Sequence, residues 1–216
     1  MADLIDRTPA SVARKLGNFG ASDPGLREQR IAGLTHASKM DRAIWSEFSQ
    51  DWNGLVWEAS RLRLSMKKEK RSEAFVQPSG PSEVLRTVKQ RVHQAFFRSA
   101  VLSSYDQTCC VTGLRIPQCL VASHIVPWSE DEKHRADPTN GLCFSATFDR
   151  LFDAGLMTIS DELTVAMASD LAETSDNNTK ELIWPYGGKG IILPRRFMPS
   201  LERLRWHQKN IFRGVK

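Results

Sequence analysis

The 216 residues are 41% hydrophobic and 25% charged with a net charge of +5, the balance of a soluble globular protein with chain enough for one good-sized domain or two small ones. No run approaches the roughly 20 consecutive apolar residues of a membrane span, and Met1-Ala2-Asp3-Leu4-Ile5 has neither the basic segment nor the apolar core of a secretory signal. Four cysteines without secretory context predict reduced thiols and a cytoplasmic location.

Three regions follow one another. Residues 1–64 read as a small helical module. Thr8-Pro9 opens a capped helix carrying Val12, Leu16 and Phe19, which Gly20 to Pro24 ends. Asp41 to Leu64 is a second helical stretch, with Trp45, Phe48, Trp52 and Val56 at roughly helical spacing, an aromatic stripe expected in a core. Residues 65–83 are a basic Pro/Gly/Ser linker, Lys67-Lys68-Glu69-Lys70-Arg71 and then Pro78-Ser79-Gly80-Pro81. Residues 84–216 form the main domain. Val84 to Leu102 is its first helix. Cys110 to Gly113 reads as strand and turn, Cys119 to Val126 as a strand, and Pro127 to Pro138 as a polar loop. Gly141 to Ser145 is a second strand and Ala146 to Asp153 a two-turn helix. Leu156 to Ile159 and Leu163 to Met167 pair as a hairpin around Ser160-Asp161-Glu162, and Gly190 to Leu193 adds a strand.

Charge is unevenly spread. Arg61 to Arg98 holds ten Lys/Arg against three acids, and Gly187 to Lys216 eight against one. Cys110 to Tyr186 between them holds twelve acids against five Lys/Arg. An acidic middle between basic arms suits a cation-binding centre held against a polyanion; two solvated helix faces and a chance acidic loop would produce the same counts.

The chemistry concentrates in Val121-Ala122-Ser123-His124-Ile125-Val126-Pro127-Trp128, then Asn140-Gly141, then Phe148-Asp149-Arg150-Leu151-Phe152-Asp153. His124 ends a strand, and the loop returns at Asn140 to a second strand. Asp149 and Asp153, four residues apart, share a helix face. Two hard oxygen ligands opposite a neutral imidazole are what a Mg2+- or Mn2+-like ion and an activated water require. His124 would then be the general base, Asp149 and Asp153 the metal ligands, and Asn140 the residue that orients the loop and the histidine through its amide. Taken singly each has a bland reading: a structural histidine, carboxylates paired with Arg150, a turn at Asn140-Gly141. Arg91, Arg98, Arg135 and Arg150 are the expected DNA phosphate contacts.

In this order the segment resembles the HNH endonuclease family, whose ββα-metal finger sets two antiparallel strands and a helix around one divalent cation. Gln90 to Arg98, Ala100 to Tyr105 and Cys109-Cys110-Val111-Thr112-Gly113 resemble the lead-in of its restriction-endonuclease-like subfamily, as do Phe152 to Ile159 and His207-Gln208-Lys209-Asn210-Ile211-Phe212. The resemblance implies an α+β fold and a metal-dependent endonuclease of restriction or defence type acting on double-stranded DNA. It assigns the base to His124, the middle position to Asn140 and the helix ligand to Asp149. Two departures stand out. Phe148 occupies the place where many relatives carry a closing His, and Ser123 precedes the base where an acidic or His ligand is common. They motivate the alternative of a DNA-binding module with a degenerate, inactive centre. Without a Cys-x-x-Cys pair, Cys109, Cys110, Cys119 and Cys143 are expected in packing rather than on structural zinc. Arg7 to Leu16, with Asn18-Phe19, resembles a small helical module of helix-turn-helix character, which in relatives is preceded by more helix, so a truncated start is expected; Arg7, Arg14 and Lys15 would face DNA, and a packing or dimerisation module fits the same residues. Two-strand cutting by one small site predicts a homodimer.

Overall fold

A computed structural model describes residues 2–28, 30–34, 37–70, 82–172 and 176–214. The chain divides into two compact units, Met1–His93 and Gln94–Lys216.

The first unit is helical. α1 (Pro9–Gly20) starts on Thr8, whose side chain accepts from the Ser11 N–H, with Pro9 at the position where a missing N–H costs nothing. The short α2 (Pro24–Glu28) follows. The stretch read as one helix from Asp41 is two, α3 (Lys39–Phe48) and α4 (Trp52–Lys70). The break has a local cause: the Asp51 carboxylate accepts from the Gly54 N–H and starts a new helix there. α3 opens on a capping box, Ser38 and Asp41 each accepting from the other's backbone N–H. Asp41 is buried, and Lys15, reaching its carboxylate at 2.7 Å, holds it down to about 2, with the Ser38 and Asn18 bonds assisting. Lys15 therefore ties α1 to α3. The aromatic stripe is only half-buried, and Val56 is the unit's one buried apolar residue among those described. α4 runs on into the basic stretch as far as Lys70; residues 71–81 of the linker lie outside the described residues.

α5 (Ser82–Ser104) leads into the second unit, to which it contributes from Gln94 onward. β1 (Leu120–His124) and β2 (Gly141–Ser145) form an antiparallel pair, in which His124 faces Gly141 and Leu120 faces Ser145. α6 (Ala146–Asp153) leaves β2 without a loop. β3 (Met157–Ile159) and β4 (Val165–Met167) make the hairpin; α7 (Ser169–Ala172), α8 (Asn177–Leu182) and α9 (Leu201–Asn210) complete the order. This is an α+β fold. Of the strand and turn expected over Cys110 to Gly113 the turn is present and the strand is not, and Gly190 makes a single bridge to Thr164 instead of a strand. Backbone bonds still reach both segments: the Cys110 N–H donates to the Cys143 carbonyl, and the Ile191 N–H to that of Leu163.

One apolar core unites these elements. Phe97, Val101, Leu120, Leu142, Phe144 and Phe152 are almost wholly removed from water, each worth about 1.5–3 kcal/mol. β2, buried at every position, packs on both faces, which explains its continuous apolar run. Gly155 closes α6 with φ +72°. Its N–H donates to the Phe152 carbonyl and the Leu156 N–H to that of Leu151, the paired bonds of a Schellman end. A Cβ there would stand 2.1 Å from the Ile211 carbonyl oxygen. Gly155→Ala is accordingly expected to destabilise by about 2–4 kcal/mol, from left-handed strain plus a backbone clash; a urea melt unchanged from wild type would contradict this.

Candidate active site

β1 delivers His124 to the edge of the two-stranded sheet. Phe97 stacks on its ring at 3.6 Å and 10°, and Trp128 meets it edge-on at 5.6 Å. The imidazole Nε2 is 3.0 Å from the Arg135 carbonyl oxygen. A carbonyl only accepts, so Nε2 carries the proton and Nδ1 keeps a free lone pair. Burial lowers the imidazole pKa, opposed in part by that hydrogen bond, and the ring is neutral at pH 7. Residues following the histidine are fixed from the short turn that leads into β2. Asn140, 1% exposed, accepts from the Val126 N–H at 2.9 Å and donates to the Val126 carbonyl at 3.1 Å. Its own carbonyl accepts from the Ile125 N–H. Both ends of the Asn140 amide are thus used in bracketing the turn after His124.

Across the corner, α6 presents Asp149 and Asp153. These carboxylates, His124, Ser123, Trp128 and His207 line one cleft of about 290 Å³. Burial raises the Asp149 pKa, against the neighbouring Ser123 hydroxyl and Arg150 guanidinium, which favour its charged form. Burial likewise raises Asp153, Asp149 adds repulsion, and Arg150 opposes both. The cleft therefore brings two partly desolvated carboxylates into mutual repulsion. Ser123 Oγ is buried without a well-formed hydrogen bond, although it lies near enough to the Asp149 carboxylate to favour its charged form, a costly state for a hydroxyl unless something else meets it.

A divalent cation fits this donor set. It would relieve the repulsion and engage the Ser123 hydroxyl. Hard oxygen donors on one or two carboxylates, with the remaining positions left to water and phosphate, are what Mg2+ or Mn2+ takes. Among the described residues no group of three or more His, Cys, Asp or Glu side chains is spaced to enclose a metal, so Asp149, Asp153 and Ser123 would hold the ion from one side only.

The structure thus brings His124, Asp149 and Asp153 to one cleft and leaves Asn140 behind it. The four arginines are dispersed. Arg135 donates to the Trp128 carbonyl and to Glu132, with its guanidinium 5.0 Å from the Trp128 ring centre, so it shapes the loop whose carbonyl fixes His124. Arg98 reaches the Pro117 carbonyl at 3.5 Å. Arg150 is exposed beside the two carboxylates, and exposed Arg91 belongs to the first unit. Phe148 points into the core against Tyr186, away from the cleft lining. Of the cysteines, Cys109, Cys110 and Cys143 are buried and Cys119 is exposed. Cys109 Sγ accepts from the Thr112 and Ser145 N–H groups.

His207 carries no chemical role in the sequence reading, yet it lines the cleft. Its Nε2 donates to the Phe152 carbonyl at 3.1 Å, its Nδ1 accepts from the Thr158 hydroxyl at 2.9 Å, and its ring stacks on Phe152 at 3.6 Å. Both nitrogens are spent within the protein, which makes it a brace. Burial lowers its pKa to about 4. A histidine held below its unfolded value near 6.5 keeps its full stabilising effect above that value and loses it as pH falls toward 4. From this shift, His207 is expected to remove about 3 kcal/mol of folding stability between pH 7 and pH 4. Urea melts of wild type and His207→Gln across this window check it; equal slopes against pH would refute it.

Residues 109–160 match the family described as HNH endonuclease. The matched span holds β1, β2, α6 and β3, and this part of the chain is similar to the HNH endonuclease family and has an α+β fold. A solved structure, a modification-dependent TagI restriction endonuclease, is similar over 54% of this chain at 19% identity and a TM-score of 0.40. The chain spans 39% of that protein's length. No curated protein matches the chain.

Proposed function

We propose that the HNH-family segment makes this protein a divalent-metal-dependent endonuclease that hydrolyses DNA, with His124 as general base and Asp149 and Asp153 as metal ligands. The observation that carries the reading is that His124, whose Nδ1 lone pair is free, shares one cleft with two partly desolvated carboxylates.

His124 is held by three contacts that leave Nδ1 free: the Arg135 carbonyl on Nε2, Phe97 on one ring face and Trp128 at the edge. Nδ1 takes a proton from a water aimed at phosphorus. The water oxygen bonds to phosphorus, the P–O3′ bond breaks, and solvent protonates the leaving oxygen. Asp149 and Asp153 would hold a cation, which would supply positive charge to the phosphate oxygens and the leaving oxygen. Ser123 and the two carboxylates fix where that charge sits, and Asn140 keeps the turn after the base from swinging. Arg91, Arg98 and Arg150 are proposed phosphate contacts, with Arg135 contributing through its loop. Double-stranded DNA is the proposed substrate, a homodimer the proposed assembly for cutting both strands, and restriction or defence the proposed setting. Among the described residues no helix is long and apolar enough to cross a membrane.

The second reading, a DNA-binding module with an inactive centre, draws on the one-sided ligand set. Supercoiled plasmid incubated with the protein and Mg2+ or Mn2+, against a chelator control, separates the two. Metal-dependent nicking supports the enzyme; DNA binding without nicking under any of these conditions supports the module.

A further inference from the structure

Resting on the reading above that His124 and the aspartate pair form one reaction centre, we infer that α9 is the clamp that holds its two halves in register. Arg203 and His207 are positioning residues, the first for the histidine half and the second for the carboxylate half. They stand four residues apart, on one face of α9; Arg203 reaches the loop between β1 and β2, and His207 reaches α6.

Arg203 closes the loop that delivers Asn140. Asp137 Oδ1 accepts from the Thr139 N–H at 2.9 Å and from its hydroxyl at 2.8 Å. This leaves Oδ2 for Arg203 Nη2 at 2.8 Å, while Nη1 donates to Thr139 Oγ1, also at 2.8 Å. Ser200, which caps α9, donates its N–H to the Thr139 carbonyl at 3.0 Å. The next residue is Asn140, whose three bonds to Ile125 and Val126 fix the chain directly after His124. The side chains of Arg203 and Asp137 are only 14% and 12% exposed. A largely buried ion pair gains little over apolar packing of the same volume, because desolvation offsets its attraction. What it adds is a planar, two-pronged geometry that apolar contact lacks.

His207 does the corresponding work on α6. It bonds the carbonyl of Phe152, the residue before Asp153, stacks on the Phe152 ring, and is itself held by Thr158 on β3. A shift of α9 would therefore move the carboxylates through Phe152 and the base through Asn140. Leu204, which is fully buried, and Gln208, which donates to the Ile159 carbonyl at 2.8 Å, dock the helix as well.

Full-length Arg203→Met and His207→Phe separate the halves. Met removes the guanidinium, and Phe keeps the stacking ring but loses both hydrogen bonds. Two readouts on uncut protein need no cleavage: hydrogen exchange of the Val126 amide, and Mn2+ affinity by titration calorimetry. R203M is expected to speed Val126 exchange by about tenfold and leave Mn2+ affinity near wild type. H207F is expected to weaken Mn2+ by about 10- to 100-fold and leave Val126 exchange unchanged, with H207Q, which can still donate to Phe152, recovering part of the affinity. If either variant fails to fold, R203K and H207Q give the same split at smaller amplitude. Wild-type values on both readouts overturn the clamp. So does movement of both readouts together in each variant in step with a lower Tm, which is a general structural role. Failure of the wild type to nick DNA while these splits hold would sink the nuclease reading alone.

Discussion

Replacing His124 by Gln is expected to lower the rate of metal-dependent plasmid nicking by about 10²- to 10⁴-fold, the range a general base contributes. Gln is the informative substitution because its amide can still donate to the Arg135 carbonyl, the bond that orients the native ring. It cannot accept a proton at neutral pH, so the loop survives and the chemistry does not. DNA binding, measured in Ca2+ or without metal, should stay near wild type. The wild-type pH profile carries the same signature. Burial holds the His124 pKa below the usual imidazole value, and only the neutral ring can act as base. Activity should therefore be flat through pH 7 and fall as acid protonates the ring below its ordinary range, and the acid limb should be missing from any residual H124Q activity. Nicking by H124Q within a few-fold of wild type would remove His124 from the mechanism.

Asp149→Asn is the second large effect. The amide has the shape of the carboxylate without its charge, so α6 should keep its place while the ion loses its strongest donor. Mn2+ affinity by titration calorimetry should drop by more than the roughly 10- to 100-fold that follows loss of an outer-sphere partner, with nicking falling at least as far. Asp153→Asn should be milder, since Asp153 is the more exposed of the two and Asp149 retains the Ser123 side of the cleft. Removing either charge also relieves the other carboxyl of repulsion, so the double variant should lose less than the product of the single effects. Unaltered Mn2+ binding in D149N would show that the cation, if bound, sits elsewhere.

Much of the architecture was open to inspection in the sequence, because it depends on short-range periodicity. β2 and α6 lie at the bounds that a short apolar run and the i, i+4 pattern mark. The Thr8-Pro9 start of α1 is legible because capping uses neighbours in the chain. Where a single side chain decides, the pattern misleads. One apolar stripe hid the break at Asp51, and the basic run read as linker continues α4 to Lys70.

Contacts far apart in sequence were not legible. Ser123 read as the loss of a ligand; buried beside Asp149 without a well-formed hydrogen bond, it is an available oxygen. Nearer in sequence, Arg135, expected as a DNA phosphate contact, also donates to the Trp128 carbonyl and to Glu132. His207 reaches Phe152 and Thr158 across 55 and 49 residues, and Arg203 reaches Asp137 across 66. Spacing along the chain determines which side chains share a strand edge or a helix face, since backbone geometry repeats every two or 3.6 residues. Which tautomer His124 adopts, which oxygen is left unpaired and which helix braces the corner depend on what packs from elsewhere, and only the tertiary structure decides that.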